Sequence, residues 1–297
     1  MATSPFDWMH VGHWTDVDAK TGCSVVRFVG DVVASGEVRG GAPATREFAL
    51  LDPTRMVQGI NAVCLSGGSA FGLAAADGVA RSLRRDDVGF ATTHGLIPIV
   101  VAMSLYDLGV GSAVRWPGAP EGSSALEAAS VEFEIGLVGA GAGATVGKWR
   151  GADAVRPGGI GFAAVSRDEV TVSALVAVNA VGDVADDAES TTADIAAGAF
   201  EWPDAPAPLG ENTTIGVVAT NAKITKTQCR SLAEAGHDGL ARAIVPAHGP
   251  ADGDAIVAVA KPEIESDLAT LRLLTTSAVE QAVRISVAPV ESIDTAP

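Results

Sequence analysis

Glu211-Asn212-Thr213-Thr214 stands directly before the apolar run Ile215-Gly216-Val217-Val218-Ala219, so a hydroxyl side chain sits at the mouth of an expected buried strand. Breaking the Asn212–Thr213 bond would make Thr213 a new N-terminus. A hydroxyl nucleophile and an α-amine base would then share one residue. The chemistry on offer is amide or ester hydrolysis by a chain delivered as a one-piece precursor. The plainer alternative is a strand that begins on threonines, since β-branched residues favour strands anyway.

Other residues could contribute. Asp252-Gly253-Asp254 precedes a second short apolar run. Carboxylates two residues apart on an extended chain point to one side and could hold a cation, a substrate amine or Lys148; the alternative is an ordinary turn. Tyr106 is the single tyrosine of the chain, follows an apolar run and precedes Asp107. Its phenol could donate to a substrate carbonyl, or it is a core-edge ring whose hydroxyl finds a partner. Gly139 to Lys148 invites a phosphate-loop reading and fails it: with four residues between, the position the first glycine would need before the Gly-Lys pair is Ala142, and Trp149 follows the lysine where Ser or Thr is needed. A Gly-rich crossing of closely packed backbones explains the run, with Lys148 a lone cation exposed to solvent. His237 and His248 lack a local carboxylate or cysteine arrangement and read as structural or surface residues. No Gly-x-Ser-x-Gly elbow occurs.

These residues need elements to hold them. Strands are expected over 25–33, 62–65, 159–165, 170–178, 214–219 and 255–260, and an apolar run covers 97–105. Ser166-Arg167-Asp168-Glu169 reads as a hairpin connection. Helices are expected over 69–84 with Ser69 as N-cap, 123–130, 225–243 with Thr225 as N-cap, and 263–283. Pro203 to Pro208 is the linker candidate. Strands that are apolar throughout imply sheets covered on both faces, which two sheets between helix layers would satisfy.

Composition narrows the partners. Hydrophobic residues make up 47% of the 297 and charged residues 19%, enough for a sizeable core. A formal charge of −16 and a pI near 4.6 argue against nucleic acid, whose binding draws on Lys and Arg. Cys23, Cys64 and Cys229 have neither metal spacing nor an even count and read as reduced, buried thiols. With no secretory signal and no bilayer-length apolar run, a cytoplasmic protein is expected.

Taken in order, Arg39 to Glu47, Cys64 to Leu73, Gly141 to Lys148, Val178-Asn179, Asn212-Thr213-Thr214-Ile215 and His248 to Asp254 resemble the N-terminal-nucleophile aminopeptidase family. That family includes the L-aminopeptidase/D-Ala-esterase, the β-peptidyl aminopeptidases and the nylon-oligomer endo-hydrolase. The Asn-Thr-Thr form and the Asp-Gly-Asp pair look most like the nylon-oligomer branch. In the aminopeptidase branch the positions of Asp252 and Asp254 carry Ser and Glu, which puts strict aminopeptidase specificity in doubt.

The resemblance implies an α/β fold, an αββα four-layer sandwich, in one hydrolase domain over 1–297 cut into an α chain 1–212 and a β chain 213–297. It implies a site of Thr213, Lys148, Asn179, Asp252, Asp254 and Tyr106, with autocleavage between Asn212 and Thr213. A small amide or peptide substrate, no cofactor or metal, and a homo-oligomer such as a tetramer of αβ units follow from it.

The implied chemistry is coherent. A hydroxyl needs an adjacent base, and an α-amine titrates at about 7.7–8.0, which suits that work. Lys148 would favour its neutral form, the acidic pair would offset Lys148, and Asn179 would donate to the oxyanion. The rivals are an acyltransferase of the ornithine acetyltransferase type and a non-catalytic nucleotide-binding module.

Overall fold

The computed structural model describes residues 1–184, 186–201 and 212–287; the linker candidate 203–208 and Glu211 lie outside the described residues. In chain order the strands of two main sheets are β1 (Met9–Asp16), β2 (Thr21–Phe28), β3 (Val33–Val38), β4 (Ala44–Arg46), β5 (Ala62–Ser66), β6 (Val100–Ser104), β7 (Gly159–Arg167), β8 (Val170–Asn179), β9 (Thr213–Ala222) and β10 (Ala255–Ile264). The α-helices are α1 (Ala75–Arg85), α2 (Ala119–Glu127), α3 (Asp186–Ala197), α4 (Lys226–Ala243) and α5 (Leu268–Ser286).

One sheet runs β1-β2-β5-β6-β4 and the other β7-β8-β9-β10-β3. Each contains one parallel pair, β5/β6 and β9/β10. Parallel neighbours need a crossover, and α1 and α4 supply it. The alternation along β9 shows why its strand is apolar throughout. Ile215, Val217 and Ala219 face the core between the sheets, with Leu175, Val257, Met103 and Phe28. Val218 faces the other way, into a layer with Leu232, Leu240, Leu271 and Val279 from α4 and α5. On the far side Val25, Cys64 and Ala102 pack against Val79 and Leu83 of α1 and Leu126 of α2. The result is four layers, αββα. Burying each large aliphatic side chain contributes about 1.5–3 kcal/mol, so the central strands are the least movable part of the molecule.

Several boundaries differ from those read in the sequence. The expected strand 25–33 is two strands of different sheets, separated at Gly30, which has φ +85°. Apolar run 97–105 likewise divides, a short strand Gly95–Ile97 preceding β6. The helix expected from Ser69 begins as a 3-10 turn, Ser69–Ala74, before α1; Ser69 itself has φ +54° and caps nothing. The short helix expected over 123–130 is α2, earlier by several residues because Glu121 closes a capping interaction on the Gly118 N–H. Residues 263–264 continue β10, and α5 starts after Asp267, whose carboxylate accepts the Thr270 N–H at 2.9 Å. Thr225 does cap α4, in a reciprocal box with Gln228. Cys23, Cys64 and Cys229 are buried free thiols. Among the described residues no helix is long and apolar enough to cross a membrane.

Candidate active site

Three strand ends converge on Thr213. The antiparallel register of β8 and β9 sets Asn179 opposite Thr213. The parallel pairing of β9 with β10 extends backward into a bridge between Asn212 and Asp252. Asp252-Gly253-Asp254 is thereby laid along the residues that precede and begin β9. Asn212, Thr213, Asp252 and Asp254 are all buried, at 1–4% exposure.

The Asn212 carbonyl is the focus. Its oxygen accepts the Gly253 N–H at 2.9 Å and also the Thr213 hydroxyl. Gly253 must be glycine here: a Cβ would lie 2.6 Å from Thr213 Oγ1. The Thr214 N–H donates to Asp254 Oδ1 at 2.7 Å, tying the strand start to the second carboxylate.

On one side of Thr213 lies a mostly neutral hydrogen-bond set. Lys148 Nζ donates to Asn179 Oδ1 at 2.8 Å and to its backbone carbonyl at 3.0 Å. The Thr145 N–H donates to the same Oδ1 at 3.0 Å, while Asn179 Nδ2 donates to the Tyr106 carbonyl at 2.9 Å. Donors on one face and an acceptor on the other fix the orientation of the amide. Lys148 is therefore not the solvated cation expected from its sequence neighbourhood. Tyr106 reaches Asn179 through its main chain, and no hydrogen bond joins its phenol to the other site residues.

On the other side are the acids. Asp252 Oδ2 accepts the Gly249 N–H at 2.7 Å, and Oδ1 is buried with no close hydrogen-bond partner among the described residues. Burial first, and the neighbouring Asp254 second, push its carboxyl up to about 6. Asp254 Oδ2 meets His248 Nδ1 at 2.8 Å. The acidic pair is thus answered by an imidazole and backbone amides rather than by Lys148. His248 is half-buried and His237 fully buried, so of the structural and surface readings only the structural one holds for His237. The loop after β3 holds this arm: Asp252 O accepts Ala42 N–H at 2.8 Å and Asp254 O accepts Arg39 N–H at 3.0 Å. A Cβ at Gly40 would come within 2.3 Å of Asp252 O, which accounts for the glycine after Arg39.

The Gly-rich run forms no phosphate cradle. Side chains at Gly139, Gly141 and Gly143 would run into Ser24, Ile160 and the Lys20 carbonyl at 2.1–2.5 Å, so these glycines serve close backbone packing. Beside Thr145 a cavity of about 290 Å³ opens, lined by Thr15, Val17, Lys20, Val110 and Pro157 among others. A larger one, about 400 Å³, is bounded by Asp31, Met56, Gln58, Asn61 and Phe90 and includes none of the residues around Thr213. Among the described residues no group of three or more His, Cys, Asp or Glu could hold a metal ion.

Comparison with known proteins agrees with this architecture. The model of Peptidase family S58 matches residues 8–295, and the chain belongs to that family. An uncharacterized aminopeptidase of Mycobacterium tuberculosis is 42% identical over 279 residues, covering 85% of this chain and 79% of that one. A 6-aminohexanoate-oligomer endohydrolase of Kocuria sp. is 28% identical over 277 residues, covering 88% and 75%. Among solved structures, a Burkholderia sp. beta-aminopeptidase superposes with a TM-score of 0.72 at 19% identity, over 96% of this chain and 87% of that one. The L-aminopeptidase D-Ala-esterase/amidase of Ochrobactrum anthropi, described as a variant of the Ntn-hydrolase fold, gives 0.70 at 18% identity, over 96% and 86%. The fold is of this type, and the protein is a peptide or amide hydrolase.

Proposed function

We propose that the chain is a self-processing hydrolase of small amides and short peptides, with Thr213 as nucleophile and the cut between Asn212 and Thr213. The observation that carries this reading is the Asn212 carbonyl, which holds the Thr213 hydroxyl and the Gly253 N–H together. Attack of Oγ1 on the Asn212 carbon forms a C–O bond and places the oxyanion against the Gly253 N–H. The C–N bond then breaks, the hydroxyl proton ends on the Thr213 nitrogen, and the resulting ester is opened by water. The products are the chains 1–212 and 213–297.

In the cut protein the freed amine takes the hydroxyl proton as Oγ1 attacks a substrate carbonyl in the place that Asn212 left. An acyl-enzyme and its hydrolysis follow. The ammonium of Lys148, bound to the residue paired with Thr213, favours a neutral amine. Asn179 and Tyr106 set the position of Lys148, and the acids order the strand start. The aminopeptidase and 6-aminohexanoate-oligomer relatives support an amide substrate. The same reading includes a cytoplasmic homo-oligomer of αβ units, which sedimentation of the processed protein would test.

The test is hydrolysis of a panel of amino-acyl amides, short peptides and 6-aminohexanoate oligomers by wild type and Thr213→Ala. Turnover by the wild type alone is expected; equal turnover by the variant would remove Thr213 from the chemistry. An added amine acceptor separates hydrolysis from acyl transfer.

A further inference from the structure

The last turns of α4 and the loop leading to β10 bring together two imidazoles that the steps above do not use. His237 Nε2 lies 3.1 Å from the Glu37 carbonyl, and Nδ1 is buried without a partner among the described residues. A carbonyl only accepts, so Nε2 carries the hydrogen and the ring is neutral. Burial, the main influence, lowers its pKa to about 4, in the same sense.

His248 is different. Its ring centre is 5.0 Å from that of His237. Both its nitrogens face acceptors: Nε2 the His237 carbonyl at 3.1 Å, Nδ1 the Asp254 Oδ2 at 2.8 Å. A neutral imidazole has one N–H, so donating to both requires the imidazolium. Oδ2 also accepts the His248 backbone N–H at 3.3 Å, which leaves the shared proton on Nδ1. Asp254 Oδ1 in turn accepts the Thr214 N–H at 2.7 Å. An unbroken chain of hydrogen bonds therefore runs from a charged imidazole to the residue next to Thr213.

We propose that His248 is a positioning residue for the hydrolase: as an imidazolium it fixes the Asp254 carboxylate and, through the Thr214 amide, the hydroxyl and amine of Thr213. This rests on the reading of Thr213 as nucleophile. The titratable groups around His248 are Asp254 and Asp252 from its own loop, the neutral His237 and Asp238 from α4, and Glu37 and Arg39 from β3 and the residue after it. Arg39 pairs with Glu37 at 3.1 Å and with Asp238 at 3.2 Å.

Burial, the largest influence on His248, lowers its pKa. Asp254, by hydrogen bond and charge, and the His237 carbonyl outweigh it and raise the value above the ordinary 6.5. A raised base contributes fully below its ordinary value and is lost as pH climbs through the raised one. The Thr213 amine gains its neutral form near 7.7–8.0, so nucleophile activation and nucleophile positioning work against each other on the alkaline side.

The experiment combines ¹⁵N NMR of the histidines with the pH dependence of kcat and KM on a small amide, for processed wild type, His248→Asn and His248→Gln. His248 has φ +57°, a conformation asparagine tolerates, so His248→Asn keeps the backbone while removing the charge. Wild-type His248 should be doubly protonated at pH 6, and Asp254→Asn should remove that state at pH 7. His248→Asn should lower kcat about 10- to 100-fold near neutrality, the loss of one charge-assisted hydrogen bond, with little change in KM. His248→Gln, whose longer side chain carries its amide N–H₂ closer to Asp254, should recover part of kcat, and neither variant should keep the alkaline fall attributed to His248. A neutral wild-type His248 at pH 6, or wild-type kcat with the alkaline fall intact in both variants, would overturn the proposal. If the variants do not fold, the wild-type titration decides it. An imidazolium titrating as described, in a protein whose Thr213→Ala variant still turns over, would fault the nucleophile assignment and with it the link from His248 to catalysis.

Discussion

Lys148 and Asp254 flank Thr213 and are held in opposite ways. The hydrogen bonds of Lys148 to Asn179 are to neutral oxygens, which also receive the Thr145 N–H. Asp254, one of a buried pair of acids, is itself answered by one imidazole and two backbone amides. The difference teaches where charge is a structural requirement and where it is a chemical one. Removing Lys148 leaves Asn179 Oδ1 still satisfied by Thr145. Removing Asp254 leaves the Thr214 N–H and the His248 ring without their acceptor inside the protein.

That asymmetry can be broken from either end. The largest effect on stability is expected for Asp254→Ala, which strands the buried Thr214 N–H. A loss of about 1–3 kcal/mol is the usual consequence of leaving a buried donor without its acceptor, measurable by urea unfolding. Lys148→Met should lower kcat by about 10²-fold, the lower end of what proton-transfer catalysis contributes. If both variants lost stability and rate alike, the two sides would not differ as described.

A smaller and opposite effect sharpens the acidic side. Asp252 binds its proton up to about pH 6, against an ordinary 3.8. An acid with a raised pKa costs stability as pH rises through that window, because the folded state holds the proton more tightly than the unfolded one. Asp252→Asn should therefore raise the melting temperature at pH 7 and above, with the gain shrinking as pH falls from about 6 and gone below about 4. A gain independent of pH would mean that burial of an ionised Asp252 is not its source.

The sequence made some of this legible and hid the rest for physical reasons. A threonine before an apolar run, and carboxylates two residues apart before another, are local patterns, and the parallel pairing of β9 with β10 brought them together. Lys148 and Asn179 are 31 residues apart and meet because the Gly147 and Trp149 N–H groups bond the Gly182 and Val181 carbonyls just beyond β8; the family resemblance pointed to both, while the composition around Lys148 suggested solvent. Gly253 acts through a backbone N–H, which has no residue signature. His237 and His248 became a pair only when the last turns of α4 folded over the 246–254 loop, a contact no periodicity describes. The four layers were readable from strands apolar throughout. The break at Gly30 was not, because residues 25–33 are hydrophobic on both sides of it and only the destination sheet differs. Nor was α3, whose exposed, acidic and small residues bury little beyond Ala188 and Thr191.

The central claim is that Thr213 attacks the carbonyl it already touches. Intact mass under denaturing conditions, on fresh and aged wild type beside Thr213→Ala, tests it most directly. The account predicts that the 29.9 kDa wild-type chain resolves into fragments 1–212 and 213–297 while the variant stays whole. A wild type that remains uncut, or a variant cut at the same bond, would contradict it.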